Sequence, residues 1–415
     1  MKNQKISAFG LIVWAVTVIF YLYEFILQVS PGVLLKPLMT EFSLSATAAS
    51  QIGAIYFFTY ALMQIPAGIL LDRYGPKKIL TVAAMFCTAG TFLMALAPSF
   101  NFVLLARFLT ALGSAVAMIG SMKIVSNWFD KDRFALFSGL ILLVGMLGAV
   151  FAKAPLAYSV EHIGWQNTLL YLGFTGILVT ILNLSIIQNS PEAFSQQSIS
   201  GVEKFHFSDL KVLVRSYKTW LAAVYGGLML TPVLSLGTLW GEKYLTDSYS
   251  YSNIESAAAM TFIFIGMGLG GPLGGWLSNI FNKKKSLMML SAICAFTFLL
   301  LYIYISHRVH VYYYIIGFFL GLSTSLSWTV FAFVKELHPK KLHATALAFV
   351  NLITMLLGAT GQLLIGVILD TFFEKQMLNG QAVYLESSYE YAFIIFPVFV
   401  CMAFAITFFL KEANR

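Results

Sequence analysis

The chain has 415 residues, of which 59% are hydrophobic and only 11% charged, with a mean hydropathy of +0.81. That balance excludes a soluble globular protein of this length and points to a bilayer. The formal net charge of +8 would raise the question of nucleic acid in a soluble chain, but here the basic residues lie between apolar runs, so lipid is the expected partner and nucleic acid is not.

In chain order, the apolar runs predict twelve helices near residues 8–33, 47–71, 78–97, 101–124, 134–157, 166–187, 219–246, 253–279, 286–306, 311–334, 343–370 and 390–410. Each is long enough for a hydrocarbon core of roughly 30 Å, which takes about 20 residues. Alternating barrel-strand segments are not seen. The first run has no small-residue cleavage site after it and reads as a retained span. Loops that an inside N-terminus places in the cytoplasm collect most of the Lys and Arg, while the outer loops keep Lys36, Lys243, Arg308 and Lys375. The positive-inside rule then predicts cytoplasmic termini and a multi-pass protein of the bacterial inner membrane. A polar stretch at 188–218 separates an N-terminal six-helix bundle, 1–187, from a C-terminal one, 219–415. Cys87, Cys294 and Cys401 fall inside spans, so neither a disulfide framework nor a metal site is expected. Nor is any cofactor.

The halves share a motif. Gly68-Ile69-Leu70-Leu71-Asp72-Arg73-Tyr74-Gly75-Pro76-Lys77-Lys78 returns about half a chain later as Gly275-Trp276-Leu277-Ser278-Asn279-Ile280-Phe281-Asn282-Lys283-Lys284-Lys285. In a membrane protein this suggests two parallel structural repeats. Gly68, Leu70, Asp72, Arg73, Gly75, Lys77 and Lys78 fit the pattern G-x-L-x-D-R-x-G-R/K-R/K, with Pro76 in place of the usual basic residue. Leu104, Arg107, Phe108 and Gly113 match an arginine motif of a fourth helix, with Ala111 where glycine is common; Trp128-Phe129 with Arg133, and Gly164-Trp165, are further matches. On these residues the chain resembles the major facilitator superfamily. The resemblance implies an all-α fold of twelve transmembrane helices in two six-helix bundles, a secondary transporter working by alternating access, and no enzymatic activity. Tyr23-Glu24-Phe25, Ser30-Pro31-Gly32 and Met63-Gln64-Ile65-Pro66 are similar to a branch that includes phagosomal amino-acid and nucleoside transporters. The spaced glycines Gly139, Gly145 and Gly148 are followed by Ala154-Pro155, which does not reproduce the antiporter motif.

Charges inside hydrocarbon cost about 2.5–3.5 kcal/mol each on insertion scales, so they face a cavity or a partner. Counting from the outer helix ends, Glu24 lies about 13 Å deep, Arg107 about 9 Å and Lys153 about 6 Å. Together they are expected to cluster in the outer half of the N-terminal bundle. Glu24, the one acidic residue well inside a span, either couples transport to protons or forms a permanent ion pair with Arg107 or Lys153. Arg107 offers a planar fork to an anionic group. Lys123, near a helix end, is expected to snorkel to the interface.

Tyr56, Tyr60 and Gln64 recur every four residues and so share one helix face, and Gln28 lies one turn from Glu24. These, with Arg107, Lys153, Trp240, Ser327 and Trp328, form the candidate substrate set. Hydrogen bonding between helices accounts for the same polar residues, and packing for the two tryptophans. At the cytoplasmic surface Asp72, Arg73, Gly75, Lys77 and Asn279 form a candidate gate, asymmetric because Asn279 brings no charge; topology alone also explains the basic members.

The expected cargo is a small polar or anionic metabolite, amino acid-like in the first instance, moved across the inner membrane by proton symport, and the protein is expected to be a monomer. Alternatives are proton-coupled efflux of amphipathic compounds and a transporter-like sensor. The six histidines make no H-E-x-x-H or nucleophile–base pattern, and there is no phosphate loop.

Overall fold

The computed structural model describes residues 8–190, 207–281, 284–305, 309–339, 342–373, 376–378 and 381–410. Among them are twelve helical spans long and apolar enough to cross a membrane. The N-terminal half contains α1 (Ala8–Val29), α2 (Pro31–Glu41), α3 (Ala46–Tyr74), α4 (Pro76–Ala95), α5 (Phe100–Trp128), α6 (Lys131–Phe151), α7 (Ala154–Ile163) and α8 (Trp165–Ile186). After α9 (Phe207–Arg215), the C-terminal half runs through α10 (Tyr217–Ser235), a π-helical turn (Leu236–Trp240), α11 (Gly241–Tyr249), α12 (Asn253–Phe281), α13 (Lys284–Tyr304), α14 (His310–Leu326), α15 (Thr329–Leu337), α16 (His343–Phe372), α17 (Glu386–Phe393) and α18 (Ile395–Phe409).

The breaks inside spans have local causes. Pro31 and Pro155 lack an N–H and sit in the first turn of α2 and α7, a position a proline tolerates at a helix start but not in an interior. The first and fifth spans are therefore each two helices. Gly75 and Gly164, at φ +80° and +82°, turn the chain directly from α3 into α4 and from α7 into α8, a left-handed conformation costly for any residue with a Cβ. Two departures from the sequence reading follow. Strands β1 (Gln376–Leu378) and β2 (Gln381–Val383) pair as an antiparallel hairpin before the last span, and α9 forms within the stretch read as a polar linker.

One end of the bundle carries residues 8 and 410, here the terminal end; the other is the far end. At the far end the two halves share one core: Val29, Leu35, Ile52 and Leu156 run continuously into Trp240, Met260 and Ile365. Toward the terminal end Val13, Leu71, Leu80, Ile124 and Val179 form a separate cluster of N-terminal-half residues alone. The α3 and α16 helices cross between the halves at the far end with almost no side chain between them. A Cβ on Gly366 would fall 2.5 Å from the Ala46 carbonyl oxygen, and one on Gly53 would fall 2.0 Å from Gln362 Oε1.

Candidate functional site

The N-terminal half buries its charges around the Pro31 break. A residue at 31 in a continuous helix would donate to the Leu27 carbonyl; proline cannot, so that oxygen is left to other donors. Arg107 on α5 takes it through Nη1 at 2.9 Å, and the Ser30 hydroxyl donates to it at 3.0 Å. Arg107 Nε donates to the Ile52 carbonyl of α3 at 3.1 Å, and the guanidinium lies 4.3 Å from the centre of the Tyr56 ring, a cation–π distance. The guanidinium thus ties α1, α3 and α5 together. Its Nη2 is buried without a partner.

Tyr56 connects this arginine to Glu24. Its hydroxyl donates to Glu24 Oε1 at 2.8 Å, and both residues are buried. The ion pairs of the described residues do not include Glu24 or Arg107, so the permanent pair considered for Glu24 is not made in this structure. Tyr60 stacks on Tyr56 at 6.2 Å. Gln64, two turns further along the same face, is buried with Nε2 unpartnered, and Gln28 is buried on α1. The structure therefore brings Glu24, Tyr56, Tyr60, Gln64 and Arg107 into one N-terminal-half group.

Lys153 does not join them. It sits at the α6–α7 break, and its amine crosses to the other half to donate to Glu242 Oε1 of α11, with the Val29 carbonyl at 3.4 Å. Glu24 is thus not the only acidic residue deep in a span. The seventh helical path runs on to Tyr249, which leaves Glu242 about two turns from its end and buried against the N-terminal half. For the same reason Lys243 and Lys36 are not loop residues. Lys36 lies within α2, and Lys243 is buried in α11 and donates to Asp247 Oδ2 at 2.8 Å.

In the C-terminal half, the π-helical turn leaves carbonyls for side chains to satisfy. Gln362 on α16 donates through Nε2 to the Leu234 carbonyl at 3.1 Å and to Thr238 Oγ1 at 2.8 Å, while its backbone carbonyl accepts from Trp240 Nε1 at 3.2 Å. Trp240 is fully buried by this arrangement. Ser327 is buried at the break between α14 and α15, and Trp328, partly exposed, lies over Gly271 of α12. Among the described residues, none of these three is hydrogen-bonded to or ring-stacked on a member of the Glu24 group.

The far end holds one more charged contact that the sequence reading missed. Asp370, in the last turn of α16, accepts from the backbone N–H groups of Ala46 at 3.1 Å and Thr47 at 2.7 Å, the start of α3 in the opposite half, and from the Tyr384 hydroxyl at 2.7 Å. A carboxylate here satisfies otherwise orphaned donors and favours the positive end of the helix dipole. The only sequence signal was an acidic residue at the very end of an apolar run.

The terminal end is different. Asp72 pairs with Lys123 of its own half at 2.8 Å, so Lys123 finds a carboxylate as it reaches the surface. The Lys77 N–H donates to Asn189 Oδ1 at 2.9 Å, Arg73 lies 5.2 Å from the Tyr74 ring centre, and Gly75 makes the turn between them. The side chain of Asn279 lies outside the described residues.

A family model described as Major Facilitator Superfamily matches residues 12–263 and 232–415. The chain belongs to the major facilitator superfamily. Among its relatives, "Uncharacterized transporter YybO" of Bacillus subtilis is 25% identical over 273 residues, covering 62% of each chain. "Probable nitrate/nitrite antiporter NarK1" of Thermus thermophilus is 26% identical, covering 61% of this chain and 58% of its own. "Probable sulfoacetate transporter SauU" of Cupriavidus necator is 21% identical, covering 70% and 69%. The alignments thus span about six- to seven-tenths of these relatives. A crystal structure titled as a bacterial homologue of the human lysosomal transporter Spinster, inward-facing and unoccupied, shares the fold with a TM-score of 0.81 at 18% identity, covering 97% of both chains. The relatives named here carry transporter names.

Proposed function

We propose that this transporter carries a small organic or inorganic anion across the inner membrane together with protons, by rocking of its two halves about the Glu24–Tyr56–Arg107 group. The observation that carries the reading is Arg107: a buried guanidinium with two nitrogens committed to backbone carbonyls and Nη2 unpartnered. A buried cation that cannot lose its proton is held ready for an anion. Tyr56, between Arg107 and Glu24, lets an anion at the guanidinium and a proton at the carboxyl act on the same hydroxyl. Relatives named for nitrate and nitrite, sulfoacetate, and galactarate and D-glucarate share a negative charge in their cargo, which favours an acid over a neutral amino acid. With the termini cytoplasmic, the far end is external and the conformation is open inward.

Uptake into proteoliposomes under an imposed pH gradient tests this, with labelled nitrate, sulfoacetate, glucarate and aspartate offered separately and a neutral sugar as control. Wild type should accumulate at least one anion uphill. Arg107→Lys should raise the half-saturating concentration about tenfold or more, because a point charge does not reproduce the fork. Glu24→Gln should lose uphill accumulation and keep anion exchange. Wild-type accumulation by Glu24→Gln would remove it as the coupling group, and transport of the sugar in preference to every anion would overturn the cargo class.

A further inference from the structure

The Lys153–Glu242 pair is buried, spans the two halves and takes no part in the Glu24 group. Lys153 is fully buried and Glu242 is 4% exposed. One carboxylate oxygen meets the Lys153 amine; the other, Oε2, has no partner and faces Gly32 at the start of α2, so closely that a Cβ there would lie 2.3 Å away. That carboxylate also lines a small cleft with Gly32, Val33, Lys36, Lys243, Thr246 and Asn253. Gly32 and Glu242 lie in the first turns of α2 and α11, Lys36 and Thr246 a turn further toward the far end, and Asn253 opens α12 there, so the cleft runs from the carboxylate toward far-side solvent.

We propose that Glu242 is a proton-binding site served from the far side, loaded when the far end opens and emptied when it closes. Lys153 belongs to one half and Glu242 to the other, so any motion that parts the halves at the far end parts the pair. Closed, Glu242 and Lys153 face each other as a pair with one labile proton between them. Parted, the carboxylate loses that partner and takes a proton from far-side water, forming a carboxylic acid; closure returns this proton to water as the pair re-forms. The other groups facing Glu242 do not replace Lys153. Lys36 of α2 lies across the cleft, Lys243 on its own helix is engaged by Asp247, Asn253 of α12 is neutral, and Tyr302 of α13 brings an uncharged phenol within electrostatic range. The sign is then set: acid on the far side favours the far-open form, and base favours the closed one. Closure with Glu242 still protonated would strand the Lys153 ammonium in the core, which opposes it.

This rests on the chain's two halves moving as in a transporter, and not on the role of Glu24. The test therefore reads conformation in the absence of substrate. In full-length protein with Cys294 and Cys401 replaced by Ala, spin labels at two exposed far-end positions, Leu96 of the N-terminal half and Leu385 of the C-terminal half, report the separation of the halves in nanodiscs. Wild type should shift from short to long distances on acidification. Glu242→Gln should populate long distances at every pH. The double variant Lys153→Met with Glu242→Gln, which leaves no stranded charge, should return to short distances without pH dependence, and decides the matter if the single variant fails to fold. A wild-type distribution that ignores pH, or a wild-type pH response in either variant, overturns the proposal.

Discussion

The two ends of the α3–α16 crossing present the same kind of residue in opposite situations. Each helix ends on an aspartate, Asp370 closing α16 at the far end and Asp72 closing α3 at the terminal end. Asp370 reaches across to the first N–H groups of α3 in the other half. Asp72 turns back to Lys123 within its own half. The two apolar cores divide in the same way, continuous between the halves at the far end and separate at the terminal end. A carboxylate at a helix end is thus a latch only where the partner helix start is within reach; its presence in the sequence does not say whether it is engaged.

The largest disturbance of this contrast should come from Gly366→Val. Its Cβ would meet the Ala46 carbonyl at 2.5 Å and Ser50 Oγ at 2.7 Å, and a helix backbone cannot give way as a side chain can. Overpacking of this kind costs about 1–3 kcal/mol, which falls entirely on the far-closed form. Far-end spin-label distances should lengthen, and unchanged distances would mean that α3 and α16 do not approach so closely. Gly53→Ala should do less despite the shorter 2.0 Å clash, because it meets a side-chain oxygen, Gln362 Oε1, that makes no hydrogen bond, and not a helix backbone.

Asp370→Asn keeps an acceptor but loses the charge and one accepting oxygen, a loss of about 0.5–2 kcal/mol for a helix cap. The far-open population should rise several-fold while labels at the terminal end report no change of their own beyond the coupled motion. No shift at either end would leave the cap without a gating role. Asp72→Asn should be the mildest in this conformation, since a pair with half-exposed members contributes about 0–1 kcal/mol. Thermal stability and anion binding in detergent should stay near wild type while transport slows, if Asp72 engages the other half when the terminal end shuts. Unchanged flux would reject that role and sharpen the asymmetry between the ends.

Much of the fold was legible because its signals are local. Twelve runs of sufficient length and apolarity determine twelve spans, since a bilayer leaves a backbone little alternative to the helix. The four-residue spacing of Tyr56, Tyr60 and Gln64 placed them on one face, and depth alone brought Glu24 level with Arg107. Depth also misled: it brought Lys153 to the same level, where the Pro155 break and the partner in the other half direct its amine elsewhere.

What the sequence by itself determined is therefore the membrane setting, the two-half organisation and the identity of the buried charges, because the cost of placing a charge or an unpaired peptide group in hydrocarbon is paid residue by residue. Only the tertiary structure decided which charge meets which. Glu242 and Asp370 read as residues at span ends, and they became cross-half contacts because partners more than eighty and three hundred residues away in the chain pack against them. Ion pairs and helix caps act over a few ångströms of space, and sequence spacing carries no record of that distance once the partners lie in different halves.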